Sequence, residues 1–225
     1  MDIIDRCKLY PLDKFFRPTR CSLSWLTALS ATDRLKEIRF LHVIETSIGL
    51  ITSWKQLLLD QLLSREPPGA VLIIDAISVW SEAARKATNK DRVHYINNPS
   101  LLQFAGIVGF LAQLNESPEM TVKSRCESSA SINLPLTTII IDNLSIYNYQ
   151  EGLNLIALRK MFDTLHETFG CVIITFGYGI EYYEGVENSF PANSSELKGP
   201  WPTRLDQAYL KSMDSVLALS EDPRR

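Results

Sequence analysis

Histidine and cysteine are scarce in this chain, and what there is of them is scattered. His42, His94 and His166 form no HExxH or His-x3-His pair, and the four cysteines at 7, 21, 126 and 171 include no CxxC. Metal centres and disulfide frameworks declare themselves by close spacing, so neither is expected. Cys171 and His42 each fall inside an apolar stretch, where core packing is the expected role. Basic charge is not in excess either. Lys and Arg number 23 against 26 Asp and Glu, a net charge of −3, so any nucleic-acid contact has to come from a local patch or a partner chain. A GxSxG elbow is absent. No apolar run reaches the roughly 20 residues that cross a bilayer, and the first residues do not read as a signal peptide. A reducing setting, cytosol or nucleus, is expected.

What is present is a set of short apolar runs that end in acids. Leu136 to Tyr147 contains Ile139, Ile140 and Ile141 in succession, running straight into Asp142. A run this short and wholly apolar suits a strand buried on both faces of a parallel sheet. Ala70–Ile74 ending at Asp75, Phe40–Ile44, Cys171–Thr175 and Ser215–Leu219 read as further strands. Between them, Thr46–Leu63, Ser100–Leu114 and Leu153–Phe169 carry helical spacing, the last stopped by Gly170. Before the first core strand, residues 7–16 read as a strand and turn, and Ser22–Ser30 as a capped helix. Residues 115–135 read as a loop with a short helix near Met120–Arg125, and 177–202 as a long connection. Alternating strands and helices imply βαβ units and a mostly parallel sheet flanked by helices. One domain over 1–225 is expected, with 1–39 an N-terminal extension.

A carboxylate at the end of such a strand lies where open α/β sheets hold their ligands. In nucleotide-binding relatives of this architecture an Asp there holds Mg²⁺. The companion phosphate loop, G-x-x-x-x-G-K-[ST], has a degenerate counterpart at Gly49–Gln56. Trp54 stands where a second Gly lets the backbone approach the phosphates, and Gln56 replaces the hydroxyl that meets Mg²⁺. Lys55 alone cannot rebuild a cradle of backbone N–H groups. The favoured reading makes Trp54 and Lys55 the buried and exposed positions of one helix, with the Trp54 indole lying where a triphosphate would have to be. Asp75 and Asp142 are then expected to cap turns or bind nearby N–H groups. No nucleotide, metal or other cofactor is expected.

The strand order, Asp142 and the Cys171–Thr175 strand before a long loop resemble the core of RecA-type recombinases. More narrowly, Lys8–Leu12, Phe40–Glu45, Leu72–Ser81, Ile140–Ser145, Gly170–Thr175, Gly185–Asn188, Pro202–Leu205 and Tyr209–Asp214 resemble, in order, the family of platinum-sensitivity subunits of Shu complexes. That resemblance implies a RecA-like fold without ATPase motifs. It also sets Ile77 at the position of the catalytic Glu of RecA-type ATPases, and Ile77 cannot polarise water. Relative to that family, the chain is expected to stop short of further strand-like sequence after Leu219.

The resemblance further implies two loops facing DNA, at about 147–153 and 178–204. Tyr147 and Tyr149 are candidates to stack on bases, and Lys198, Arg204 and Lys211 to meet phosphates. It implies a heterodimer with a paralogous RecA-like Shu subunit, association with the other Shu subunits, action on the recombinase filament at single-stranded or forked DNA, and a nuclear location. Trp80, Trp201 and Tyr183 are candidate interface aromatics. The expectation is a non-catalytic recombination mediator. An active or regulatory NTPase with an atypical phosphate loop, and a scaffold that never touches DNA, are the alternatives.

Overall fold

The computed structural model describes residues 38–46, 51–126, 134–180 and 201–219, with the side chains of 51–53 left aside. Among these, six strands form one sheet: β1 (Phe40–Glu45), β2 (Ala70–Asp75), β3 (Val93–Ile96), β4 (Leu136–Asp142), β5 (Val172–Tyr178) and β6 (Ser215–Leu219). Their order is β3-β2-β4-β5-β1-β6, and every pairing is parallel. The helices are α1 (Ile51–Leu63), α2 (Ser81–Lys86), α3 (Phe104–Glu116), α4 (Pro118–Arg125), α5 (Leu155–Phe169) and α6 (Gln207–Lys211). This is an α/β fold compatible with a RecA-like core. The expected N-terminal strand and the Ser22–Ser30 helix lie outside the described residues.

The continuous apolar runs are explained by burial on both faces. Along β4, Ile139 and Ile141 join one core with Leu72, Ile74, Phe40 and Ile173, covered by α3 and α5. Ile140 points the other way and joins Val71, Ile73, Leu41 and Val43 under α1 and α2. Period-2 alternation therefore persists, but both sets are apolar. On α5 the buried Leu155, Leu158, Phe162 and Leu165 follow helical spacing. The Asn154 side chain accepts from the Ala157 N–H at one end, and Gly170, at φ 67°, closes the other in a left-handed turn.

Two local features differ from expectation. Val93–Ile96 forms the edge strand β3, after a stretch whose polar composition hides it; Val93, His94 and Ile96 are buried. The segment read as one helix from Ser100 divides into a short 3-10 turn at Pro99–Leu102 and α3.

Close packing at that junction falls on one glycine. A Cβ added at Gly106 would lie 1.8 Å from the Ser100 carbonyl oxygen, whereas one at Gly109 would meet nothing within 4 Å. Gly106→Ala is expected to destabilise the fold by about 1–3 kcal/mol through forced backbone displacement. Gly109→Ala is expected to stabilise it by up to about 1 kcal/mol through helix propensity. Urea denaturation of the two variants checks both signs.

Candidate functional site

Three strands deliver a carboxylate to the carboxyl edge of the sheet. Asp75 and Asp142 are register partners on neighbouring strands, and Glu45 ends β1. All three are buried. The cation that answers them comes from α1, whose inward stripe contains Lys55, Leu58, Leu59 and Leu62. Lys55 is 1% exposed, contrary to the expectation of an exposed position. Its Nζ lies 2.6 Å from Asp142 Oδ2 and 3.0 Å from Glu45 Oε1. It also stands 5.4 Å from the centre of the Trp80 ring and 5.1 Å from that of Phe176. The burial follows from sequence position. Lys55 precedes Leu58, Leu59 and Leu62 by three, four and seven residues, so it shares their helical face.

The indole at the acid is that of Trp80, not of Trp54. Trp80 Nε1 donates to Asp142 Oδ2 at 2.8 Å, while Trp54 packs edge-on against Phe176, which Trp80 also meets edge-on. Trp80 is fully buried, which removes it as an interface aromatic. Gln56 turns aside and donates to Asp60 Oδ2 at 3.0 Å. Ile77 packs against the main core, and its N–H donates to Asp75 Oδ1. Gly49 lies outside the described residues.

Asp142 does not cap a turn with its side chain; it holds the ammonium and the indole. Asp75 is the turn binder, accepting from the Trp80 N–H at 2.7 Å and the Tyr95 hydroxyl at 3.0 Å. Burial lifts the Asp75 carboxyl, and those donors offset part of the rise. Burial, then the Asp142 charge, push the Glu45 carboxyl up to about 7 against the pull of Lys55. Burial pulls the Lys55 ammonium down, but Asp142 and Glu45 outweigh it and hold it above the ordinary lysine range. Asp142 Oδ1 has no hydrogen-bond partner among the described residues. One ammonium thus serves two carboxylates. Glu45 was legible as the acid ending an apolar run, the same pattern as Asp75 and Asp142, yet no role was expected of it.

Of the basic DNA-facing residues expected from the resemblance, Arg204 and Lys211 are described, and they are not brought together. Thr203 bonds the Tyr178 carbonyl at the carboxyl end of β5, and Arg204 follows it there. The chain then runs back through α6 to Asp214, whose N–H donates to the Phe40 carbonyl at the amino end of β1. Lys211, near the end of that return, stands toward the opposite edge of the sheet. Lys198 and Tyr183 lie outside the described residues. Tyr147 is 1% exposed and donates its hydroxyl to the Leu101 carbonyl, so it cannot stack on a base. Tyr149 is 63% exposed and accepts from Arg204 Nη1 at 2.7 Å. Trp201 is half-buried against the main core. His42 and Cys171 are fully buried, as core packing requires.

Removing the ammonium leaves two buried carboxylates facing each other. Lys55→Met is expected to cost about 3–5 kcal/mol in chemical denaturation. Glu45 gives a pH signature of definite sign. Its folded pKa stands above its ordinary value, so the folded state binds the extra proton and stability falls as pH rises from about 4.5 to about 7. His42, pushed down to about 3 by burial, acts in the opposite sense over part of that window. The difference between the parent and Glu45→Gln isolates Glu45. The variant is expected to gain on the parent steadily from pH 5 to 7.5; a flat difference in a denaturation series counts against the assignment.

Over residues 7–222 the chain matches the family described as Shu complex component Psy3, DNA-binding description. Platinum sensitivity protein 3 of Saccharomyces cerevisiae is 29% identical over 235 aligned positions, which take in 96% of this chain and 92% of that protein. Among solved structures, the cytoplasmic domain of EssC covers 75% of this chain and 36% of that chain at 17% identity, with a TM-score of 0.32, too low to carry any conclusion. By the extent of the family match, this chain belongs to the Psy3 family of Shu complex components.

Proposed function

We propose that this chain is a non-catalytic subunit of a Shu-type complex that binds DNA jointly with a paralogous RecA-like partner and promotes recombinase filament assembly in homologous recombination repair, in the nucleus. Its family membership supports the complex. The observation that carries the non-catalytic part is Lys55. The amino group in the phosphate-loop position is committed to Asp142 and Glu45 beside Trp80 and Phe176. An NTPase would have to pull that ammonium away from both acids and then do without a carboxylate at Ile77. Both requirements work against hydrolysis.

DNA is met at the carboxyl edge of the sheet around Arg204; Lys198, outside the described residues, is a candidate phosphate contact from the resemblance alone. Lys211, set toward the other edge, contributes to the general field rather than to the same contact. With a net charge of −3, the chain relies on its partner for most of the basic surface.

The test is salt-dependent binding of single-stranded and forked DNA by the co-expressed pair and by each chain alone. The pair is expected to bind more tightly than either chain, with two or three phosphate contacts from this chain contributing a salt slope of about −2 to −3. Lys198→Gln and Arg204→Gln are each expected to reduce the slope by about 1, and Lys211→Gln by less. Undiminished affinity after all three replacements would identify a scaffold that leaves DNA to other subunits. Saturating ATP and Mg²⁺ are expected to leave the melting temperature in place; a rise would point to a nucleotide site.

A further inference from the structure

Two routes of ion pairs, hydrogen bonds and chain neighbours lead from the buried ammonium toward the exposed Tyr149–Arg204 pair. On the first, Asp142 holds Lys55 at 2.6 Å, and the next residue, Asn143, accepts the Ser145 N–H at 2.8 Å. Ser145 Oγ in turn accepts the Tyr178 N–H at 2.8 Å, and the Tyr178 carbonyl accepts Thr203 Oγ1 at 2.7 Å. Arg204 comes next in the chain and donates to Tyr149 at 2.7 Å. On the second route, Glu45 faces Lys55 with its side chain, while its carbonyl accepts the Gly179 N–H at 2.8 Å. Gly179 bridges Thr203 directly. Glu45 therefore anchors the corner where residues 178–179 meet 203 directly, and Asp142 is joined to it through the turn that follows, at Ser145.

We propose that Lys55 is a positioning residue: held by Asp142 and Glu45, its ammonium fixes the turn after β4 and the 178–203 corner, and so keeps the Tyr149–Arg204 surface set without any bound ligand. This deepens the joint DNA-binding reading and rests on it for the consequence, though not for the geometry. Asn143 and Ser145 are buried, so their bonds have no ready substitute in water if the anchor shifts. An internal cation differs from a bound ligand in one respect that matters here. It cannot dissociate, so the surface has one arrangement rather than two.

The experiment uses the full chain with its partner and the charge-free triple variant Lys55→Met, Glu45→Gln, Asp142→Asn, which keeps the shapes and removes the clamp. Hydrogen exchange is read at Ser145, Asn148, Tyr178 and Gly179, and at Ile139–Ile141 in mid-strand. Exchange at the first group is expected to quicken at least about tenfold while the strand amides hold. Asp142→Asn alone leaves Lys55 balanced against Glu45 and serves as a milder variant, with the same pattern at Ser145 and Asn148. Unchanged exchange at the turn, or a rise spread evenly over turn and strands, overturns the proposal. The two readings separate on DNA. If the turn loosens and affinity does not fall, the clamp stands and DNA contact by this face is refuted.

Discussion

Lys55 carries its charge to a place that water does not reach, and only the two acids and two aromatic rings around it make that tolerable. Burying an ammonium or a carboxylate costs several kcal/mol each, even after relaxation. Asp142 recovers part of this by taking both the ammonium and the Trp80 N–H on one oxygen. Glu45 recovers part by tending toward its neutral form, which lowers the number of charges in the pocket. Phe176 and Trp80 add the attraction of their ring faces for the cation. Such a cluster is weak evidence for net stability. It is better evidence for a unique arrangement, because every alternative leaves a buried charge alone.

The cluster also ties together elements that the sheet does not join directly. β1 and β4 are separated by β5, and α1 crosses over that gap. Glu45 comes from β1, Asp142 from β4, Phe176 from β5 and Lys55 from α1. One cluster therefore fixes three strands toward their carboxyl ends and a helix near its amino end. The Asp75 cluster does similar work on the far side, drawing in the Trp80 N–H and Tyr95, with Asn97 on its carbonyl. Trp80 belongs to both clusters, through its backbone to Asp75 and its indole to Asp142. Its burial follows from that double attachment.

The core was legible because both-face burial leaves an unmistakable trace. Ile139–Ile141, Ala70–Ile74 and Phe40–Ile44 read as strands, and each ends in an acid. The helix stop at Gly170 is equally plain. β3 was not, since Val-His-Tyr-Ile is too short to show a period and follows a charged stretch. Lys55 is buried although its charge suggests exposure, and its leucine companions three, four and seven residues on mark the inward face. Tyr147 departs from expectation for a related reason. Aromatic residues near a strand end look available, but here a 3-10 turn folds the ring against Phe104 and the hydroxyl onto the Leu101 carbonyl. The separation of Arg204 from Lys211 could not be read from sequence at all. Seven residues apart, they look like neighbours, and only the antiparallel return through α6 sends them to different edges.

The direction in which the three strand-end acids point bears on what the carboxyl edge can do. In an open α/β sheet this edge is the usual ligand position. Glu45 and Asp142 turn toward Lys55, and Asp75 turns toward the backbone of its own following turn. Their charge is consumed within the fold rather than presented outward. The strand ends themselves therefore offer no free carboxylate at this edge, and the side chains left at its surface are those of the flanking segments, such as Tyr149 and Arg204. That division explains how a sheet can keep the outline of a nucleotide-binding core while its ligand position becomes a structural joint.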